Sequence, residues 1–368
     1  MNQIEPPDTR SRGQGIGQAV PPQVTVVVPT YRRPDLLCRA LQSVLDQTYP
    51  HFVVCVHDNA SQDTTAEVVQ GFAQRDPRFR YHPNSVNIGG IRNTAAGIAQ
   101  VQTPYFCYLA DDDLLLPNFL ETAVTALEKH PEAGFFGGMC LCIDGAGVPF
   151  LFSGTQETDG CYPPPKGLLR LWEKGWPQQA GVLYRTTARD VVGDIAPIAG
   201  FDLEYMARIA SRFGVVFSAT PVAFFYINQQ SASTSRTVRS LLEEWGYIRD
   251  AIAAYPWLDT ESKQAVFKLW QGHLPYQIRM MTLHALRRAN VEDAIFGLSR
   301  LDQFPNYPLI KPIMRFAITL AGTNKPLASL VARLFDARVW LFTQVRRARF
   351  AWQYRSRYPE YWRAMRKG

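Results

Sequence analysis

Strand-like apolar segments alternate with helix-like segments over the first hundred or so residues of the chain. The helical segment that opens at Pro34 and Asp35 carries one apolar stripe at three- and four-residue spacing. The strand segments are residues 24–28, 52–56, 78–82 and 105–109, and the helical segments are residues 34–45, about 64–75 and roughly 90–100. This order predicts an α/β fold, with an open, mostly parallel sheet covered by helices on both faces. Such sheets bind ligands at the carboxyl ends of their strands, near the point where the strand order reverses.

Polar clusters follow three of these strands directly, at residues 29–33, 58–63 and 111–113. The third cluster is a run of three carboxylates, Asp111, Asp112 and Asp113, which repel one another unless cations, water or hydrogen-bond donors hold them. Mg²⁺ or Mn²⁺ suits such a site, because these ions take a few carboxylate oxygens and complete their shell with water and phosphates. The alternative is a solvated turn in which Asp113 caps a helix led by Pro117. From these residues alone, both interpretations stay open.

Five short motifs in order resemble one known family over about residues 22–232. They are residues 26–33 (VVVPTYRR), 58–63 (DNASQD), 87–93 (NIGGIRN), 109–113 (LADDD) with Pro117, and 200–204 (GFDLE). In this order and spacing the chain is similar to the inverting glycosyltransferases of family 2, which have the GT-A fold. The resemblance implies transfer of a sugar from a nucleotide-diphosphate donor of the UDP or dTDP type.

The resemblance implies that the loop after the first strand binds the donor. Pro29, Thr30, Tyr31 and Arg33 then lie around the nucleotide, with Thr30 and Tyr31 at its base and ribose. Asp58 matches the acid that accepts a hydrogen bond from the pyrimidine ring. The alternative for Asp58 is a turn residue that holds the loop at residues 59–61.

The family's phosphate and metal ligands fall on the glycine-rich segment and the carboxylate run. Arg92 follows a glycine pair, opens a helix and is expected to contact the diphosphate with its planar cationic group; the alternative is an exposed helix arginine. Asp112 is the expected ligand of Mn²⁺ or Mg²⁺. Asp111 would face the ribose or share the ion, and Asp113 would complete the site or cap the helix.

Asp202 matches the position of the family's catalytic base, which removes a proton from the acceptor hydroxyl as its oxygen attacks the anomeric carbon. Glu204 is a rival base on another helix face, and the structural alternative for Asp202 is a helix cap. The chain departs from the family pattern at two places. Phe201 stands where an acid commonly precedes the base, and residues 226–231 lack the usual arginine and histidine.

The positive charge of the chain is concentrated at its end. Residues 333–368 carry ten arginines or lysines against two acids, and residues 1–332 sum to −1. Aromatic side chains alternate with these arginines, which is typical of an anionic membrane interface. Packing onto the catalytic domain or a second subunit is the alternative and leaves an oligomer open, while nucleic-acid binding lacks any recognised module.

The pattern divides the chain into a flexible arm (residues 1–22), a GT-A domain (residues 23–234) and a basic helical segment (residues 235–368). The chain lacks a signal pattern and a long apolar run, so a cytoplasmic protein is expected, peripheral on the inner face of the plasma membrane. Its cysteines form no CxxC pair, and Cys38, Cys55 and Cys107 lie in apolar runs, which predicts buried, reduced thiols.

The expected function is therefore transfer of a sugar to a hydroxyl of a glycan or lipid-linked acceptor, in the assembly of a bacterial surface polysaccharide. Two alternatives stay open. One is a membrane-associated scaffold that retains an inactive sheet domain. The other is a sugar nucleotidyltransferase, which the glycine-free first loop disfavours.

Overall fold

The computed structural model describes residues 21–143, 149–153, 159–227, 236–305, 308 and 310–323. Strands and helices alternate in its first half, and helices alone follow the last strand. In chain order, they are β1 (Val24–Thr30), α1 (Pro34–Leu45), β2 (Phe52–Asp58), α2 (Thr65–Arg75), β3 (Phe79–Pro83), α3 (Gly90–Ala99), β4 (Tyr105–Tyr108), β5 (Leu114–Leu115), α4 (Phe119–Lys129), β6 (Ala133–Ile143), β7 (Pro149–Ser153), β8 (Gly160–Tyr162), α5 (Lys166–Lys174), a 3₁₀ turn (Gln179–Gly181), β9 (Val182–Arg185), α6 (Thr186–Val192), α7 (Phe201–Ala210), β10 (Gly214–Tyr226), α8 (Val238–Ala254), α9 (Thr260–Arg287), α10 (Val291–Leu301) and α11 (Ile310–Thr323).

The strands form one sheet in the order β3-β2-β1-β4-β9-β6-β10-β5, with β7 added to β6 and β8 added to β10. The first four strands are all parallel, and β1 lies between β2 and β4, so the strand order reverses beside β1. The prediction of a mostly parallel α/β sheet is confirmed. The sequence pattern did not locate the antiparallel strands β5, β7, β8 and β9.

Helices cover both faces of the sheet because the strands are apolar on both sides. In β1, Val26 and Val28 face the core beneath α1, whereas Val27 faces the core on the opposite side. The apolar stripe of α1 is buried as predicted. Burial on both faces is typical of parallel strands and explains the continuous β-branched run at residues 24–28.

The strand directions bring the functional segments to one edge. Strand β9 is antiparallel to both β4 and β6, so β6 runs in the direction of β4, and β10 is parallel to β6. The carboxyl ends of β1, β2, β4, β6 and β10 therefore share one edge. Helix α7 ends at Ala210, four residues before β10 starts, so it runs back along the sheet and begins at that same edge.

The helices after β10 pack into the core on one face of the sheet. Trp245, Ile248 and Leu298 belong to the same buried cluster as Phe106 and Tyr184 of β4 and β9. Strand β10 ends at Tyr226 and α8 begins at Val238, on either side of the boundary proposed near residue 235. The three-part division of the chain stays a prediction. Residues 1–20 of the proposed arm lie outside the described residues. The arginine-rich end of the chain, residues 333–368, lies outside them as well.

None of the helices described by the structure is both long and apolar enough to cross a bilayer. All six cysteines are free, but the prediction that they are buried is wrong for Cys38, which is exposed, and Cys55 and Cys161 are only half-buried. Cys38 lies on α1 outside the stripe that contains Leu37, Ala40 and Leu41. An apolar run on a helix therefore does not bury all of its members.

Two helical glycines are expected to respond in opposite ways to a methyl group. A Cβ on Gly97 of α3 would lie 2.7 Å from Cγ1 of Val27 and 2.8 Å from the ring of His57, whereas a Cβ on Gly71 of α2 meets no atom within 4 Å. We expect Gly97→Ala to lower the free energy of unfolding by about 1–3 kcal/mol. Gly71→Ala should raise it by about 0.5–1 kcal/mol, because alanine is the better helix former. Urea denaturation of both variants measures this, and equal effects would contradict the close packing of α3 on the sheet.

Candidate functional site

Two carboxylates of the aspartate run are held at the ends of β1 and β4. Thr30 donates its hydroxyl hydrogen bond to Asp111 Oδ2 at 2.8 Å. Arg33 Nη1 lies 3.2 Å from Asp111 Oδ1 and 3.4 Å from Asp112 Oδ2. Burial raises the pKa of Asp111, and the neighbouring Arg33 and Thr30 oppose that shift. Arg33 therefore already contacts both carboxylates of the expected metal and donor site.

Asp113 has a different environment from its two neighbours. It is 3% exposed, and its Oδ1 accepts a 2.9 Å hydrogen bond from the backbone N–H of Tyr226 at the end of β10. Burial, followed by the charge of Asp112, raises the pKa of Asp113 well above its ordinary value. Helix α4 begins at Phe119, and Asn118 is its N-cap, so the alternative in which Asp113 caps this helix is wrong. Asp113 joins the ends of β4 and β10.

Asp58 holds the loop that follows β2. Its Oδ1 accepts hydrogen bonds from the backbone N–H and hydroxyl of Ser61, and its Oδ2 accepts one from the Tyr81 hydroxyl at 2.6 Å. Ser61 in turn accepts from Arg32, whose backbone N–H lies 2.9 Å from Ser61 Oγ. Asp58 thus has the turn-holding contacts of the structural alternative, and it is 3% exposed.

A network of asparagines fixes the segment that precedes α3. Asn59 donates to Asn87 Oδ1 at 2.9 Å and accepts from the backbone N–H of Ile88 at 2.9 Å. Asn87 also accepts from the N–H of Gly89, whose φ of +86° suits glycine. These bonds tie the start of α3 to the end of β2. Arg92, in the first turn of α3, is exposed and makes no hydrogen bond or ion pair among the described residues.

Asp202 lies at the second position of α7, on the edge of the sheet that carries the aspartate run. Gly200 is the N-cap of this helix, so Asp202 is not its cap. The Tyr108 ring of β4 contacts the Phe201 ring at 5.7 Å between centroids. Burial, followed by the nearby charges of Asp202 and Asp113, raises the pKa of Tyr108 well above its ordinary value. Both carboxylates thus act electrostatically on the same side chain, that of Tyr108.

The local environment of Asp202 suits a base, and that of Glu204 does not. Burial raises the pKa of Asp202, while the Leu203 backbone N–H and the charge of Arg236 oppose the shift. Glu204 is 3% exposed, with one oxygen 3.0 Å from Arg208 and the other accepting the Tyr255 hydroxyl at 2.8 Å. Glu204 is thus fixed in contacts between α7 and the end of α8.

Several residues that contribute to the site were missed by sequence reasoning. Ser61 and Arg32 join the first two polar loops, and Tyr226 binds Asp113. The charges of Asp202 and Asp113 both act on Tyr108. Ser61 and Arg32 stand inside the motifs named above, so their position was a usable signal. Tyr108 and Tyr226 are ordinary strand aromatics in the sequence, and only the strand order brings them to these carboxylates.

The donor set at the aspartate run fits a hard divalent cation. Asp111, Asp112 and Arg33 together leave one negative charge, and the ligand atoms are carboxylate oxygens, which Mg²⁺ and Mn²⁺ prefer. The side chain of Asp112 is 11% exposed and that of Asp111 is 8% exposed. Both carboxylates are thus largely buried, and each retains a little exposed surface through which an ion could be reached.

This sheet, with carboxylates gathered at one edge where its order reverses, defines an α/β protein with the GT-A fold. Two solved structures share that fold. The structure of S. aureus TarS 1–349 in complex with UDP-GlcNAc is 15% identical with a TM-score of 0.58, over 87% of this chain and 92% of that one. The mannosyltransferase PcManGT from Pyrobaculum calidifontis, in complex with GDP-Man and Mn²⁺, is 17% identical with a TM-score of 0.54, over 90% of this chain and 88% of that one.

Residues 25–163 match the model of the family described as glycosyl transferase family 2. This segment of the chain is therefore similar to that family, and it makes up less than half of the sequence. A curated relative is the GalNAc(5)-diNAcBac-PP-undecaprenol beta-1,3-glucosyltransferase of Campylobacter jejuni subsp. jejuni, 34% identical over 134 residues. That match covers 36% of this chain and 43% of the relative. The chain thus spans less than half the length of this curated relative.

Proposed function

We propose that the protein transfers one sugar from a nucleotide diphosphate, of the UDP or dTDP type, to a hydroxyl group of a glycan or lipid-linked acceptor, with inversion at the anomeric carbon. The main support for the proposal is that the candidate residues share one edge of the sheet, at the carboxyl ends of its parallel strands. Thr30, Arg33, Asp111 and Asp112 meet there in hydrogen bonds of 2.8–3.4 Å, and Asp202 lies at the same edge beside Tyr108. This arrangement supports a donor site and a base that act on the same sugar.

The donor nucleotide is proposed to lie over the ends of β1 and β2. Pro29, Thr30 and Tyr31 border the base and ribose, and Asp58 accepts from the pyrimidine N–H with a lone pair that Ser61 and Tyr81 leave unused. Arg92 at the start of α3 and Arg33 beside the aspartate run carry the positive charge for the diphosphate. The helix N-terminus adds its own partial positive charge.

Asp112, with Asp113 next to it, is proposed to hold Mn²⁺ or Mg²⁺. Asp113 is buried, and one of its oxygens already accepts a hydrogen bond from the Tyr226 N–H. Asp112 is therefore proposed as the principal ligand of the two. When bound, such an ion stabilises the negative charge of a departing diphosphate. Arg33 contacts the same carboxylates, so it must share Asp111 and Asp112 with the ion or turn toward the phosphates.

In the proposed reaction, Asp202 accepts the proton of the acceptor hydroxyl while that oxygen forms a bond to the anomeric carbon. The bond from the same carbon to the diphosphate oxygen breaks on the opposite side, and the diphosphate leaves with the electron pair. A single displacement inverts the configuration. The raised pKa of Asp202 strengthens it as a proton acceptor near neutral pH, because a carboxylate buried from water holds a proton more readily.

The proposal also includes the acceptor and the cellular setting. The undecaprenol-linked glycan named for the Campylobacter jejuni relative supports a lipid-linked acceptor. Assembly of a bacterial surface polysaccharide is the setting proposed with it. Attachment to the inner face of the membrane through residues 333–368 is part of the proposal, and these residues lie outside the described ranges. The same is true of residues 228–231 of the loop proposed to close over the donor.

Turnover of a panel of UDP-, dTDP- and GDP-sugars by the purified protein tests the function. We expect slow release of nucleoside diphosphate from a UDP- or dTDP-sugar with Mn²⁺ present, and faster release when a lipid-linked acceptor is added. NMR of the product should show the opposite anomeric configuration from the donor. A wild-type protein that releases no nucleotide from any donor, with or without acceptor, would count against catalysis and favour the scaffold alternative.

A further inference from the structure

A buried ion pair from the segment after the sheet lies against the start of α7. Glu244 of α8 is 4% exposed, and its Oε1 lies 2.5 Å from Nη2 of Arg236. Burial raises the pKa of both Asp202 and Glu244, and the charge of Arg236 opposes the shift in each. Neither Arg236 nor Glu244 belongs to any motif singled out in the sequence.

The close approach of Glu244 depends on a glycine at position 200. A Cβ on Gly200 would lie 2.3 Å from Cγ of Glu244 and 2.6 Å from its Oε1, and the φ of Gly200 is +73°. Gly200 directly precedes the first turn of α7, which contains Asp202. Any side chain here would displace either Glu244 or the start of the helix that carries the base.

The backbone around this ion pair is fixed by the helices that follow. The carbonyl oxygen of Arg236 accepts from Arg288, and the N–H of Val238 lies 3.0 Å and 3.1 Å from the two carboxylate oxygens of Asp293. Thr237 and Ser240 form a capping box that starts α8. Arg236 and Glu244 therefore belong to an ordered framework and are not a chance surface contact.

We propose that Arg236 and Glu244 are positioning residues for the reaction: the helical segment holds a guanidinium beside Asp202 through its bond to Glu244, and so sets the charge state and orientation of the proposed base. The inference rests on the proposed function, because it assigns Asp202 the role of base. It adds that the segment beyond the family 2 match contributes directly to the site. Removing either partner is expected to change how Asp202 takes up its proton.

The charges give opposite signs for the two partners. Arg236 stabilises ionised Asp202, so its loss raises the pKa of Asp202, whereas Glu244 is a neighbouring negative charge, so its neutralisation lowers that pKa. Among the described residues, the phenols of Tyr108 and Tyr184 also interact electrostatically with Asp202. Both phenols have a pKa well above the ordinary value, so they remain neutral over the assay range.

The first test compares the pH dependence of kcat/KM in Arg236→Gln, Glu244→Gln and the double variant. Activity requires ionised Asp202, so kcat/KM falls as the pH drops through its pKa. We expect this acid limb to move up by about half a pH unit or more in Arg236→Gln and down in Glu244→Gln, with the double variant in between. Glu243→Gln, an exposed neighbour on α8, is the matched control and should leave the limb in place.

The second test does not need turnover. Without Arg236, the buried carboxylate of Glu244 and the half-buried carboxylate of Asp202 have no cationic partner when ionised, and they cost little when protonated. Arg236→Gln should therefore lower Tm more at pH 8 than at pH 5.5, and adding Glu244→Gln should recover part of the loss at pH 8. Arg236→Lys retains the charge and serves if the glutamine variant does not fold. Equal losses of Tm at both pH values would overturn the inference.

Substitutions at Gly200 and at Gly193 provide a third, steric comparison. Gly200→Ala introduces both positive-φ strain and a collision with Glu244. Gly193→Ala introduces the same kind of strain, at a φ of +89°, but its Cβ would meet only Arg208 Nη1, at 3.5 Å. We expect Gly200→Ala to lose transfer activity at least tenfold more than Gly193→Ala at the same temperature below both Tm values. Equal activities would argue that Glu244 does not act on the base.

The outcomes separate the two proposals. If the wild-type protein transfers no sugar from any donor, the proposed function fails, and the inference that depends on it fails too. Suppose that the wild type is active and requires Asp202. If the acid limb of kcat/KM then stays in place in Arg236→Gln and Glu244→Gln, or moves in the same direction in both, the inference alone is overturned. Opposite shifts, together with a pH-dependent loss of Tm in Arg236→Gln, support it.

Discussion

Asp202→Asn is expected to lower the rate of sugar transfer by at least about a hundredfold, because asparagine cannot accept the proton of the acceptor hydroxyl. The loss should appear in kcat, with the affinity for the donor little changed, since the donor is proposed to bind at the ends of β1 and β2. Steady-state kinetics with an acceptor and donor binding by calorimetry measure the two effects. In the wild type, kcat/KM should decline on the acid side at a pH above the ordinary aspartate value, since burial raises the pKa of Asp202.

The same variant is expected to be as stable as the wild type at pH 7, or more stable. A folded-state pKa above the unfolded value means that ionisation of Asp202 lowers the free energy of unfolding as the pH rises through the acidic range. Asparagine does not ionise, so this loss is absent. Asp190→Asn, an exposed aspartate on α6, is the control and should retain full activity. Unimpaired transfer by a folded Asp202→Asn protein would remove Asp202 from the role of base.

Asp112→Asn is expected to lower transfer by about a hundredfold or more and to weaken its dependence on Mn²⁺. Asparagine keeps an oxygen that can accept from Arg33 but removes the negative charge, so the remaining Asp111 and Arg33 sum to zero. Donor should raise the Tm of the wild type when Mn²⁺ is present, by mass action, and should raise the Tm of the variant much less.

The control for Asp112 is Asp35→Asn, an exposed acid in the first turn of α1. It carries the same change in charge near the same edge and should leave both activity and the effect of Mn²⁺ intact. An Asp112→Asn protein with an unchanged half-saturating concentration of Mn²⁺ would place the ion elsewhere. An active wild-type protein that needs no divalent cation would contradict the metal proposal without affecting the assignment of Asp202.

The sequence predicted the parallel half of the sheet because that half is built from local repeats. The β-branched runs of β1 and β2 and the apolar stripe of α1 are set by neighbouring residues, and a parallel pair joined by a helix has few possible arrangements. The polar loops then necessarily meet at one edge. For this reason, the contacts of Thr30 and Arg33 with the aspartate run could be anticipated as a cluster, although their individual partners could not.

Sequence reasoning could not assign the partners of Asp113, Glu204 and Glu244. Asp113 binds an N–H that is 113 positions away, and Glu204 binds a tyrosine 51 positions away. Contacts of this kind depend on which strands pair and how the later helices pack, and periodicity carries no information about either. The same limitation explains why Asp58 was assigned to the donor without its bonds to Ser61 and Tyr81.

The amino-acid sequence by itself determined the alternation of strand and helix, the polar residues at the strand ends and the carboxylate types available for chemistry, since these follow from short-range preferences and spacing. Only the tertiary structure decided that β9 enters the sheet antiparallel, that α7 therefore begins beside the aspartate run, and that Arg236 and Glu244 lie against Gly200. The physical reason is that a buried charge is stabilised by whatever packs around it, and distant segments of the chain supply those neighbours.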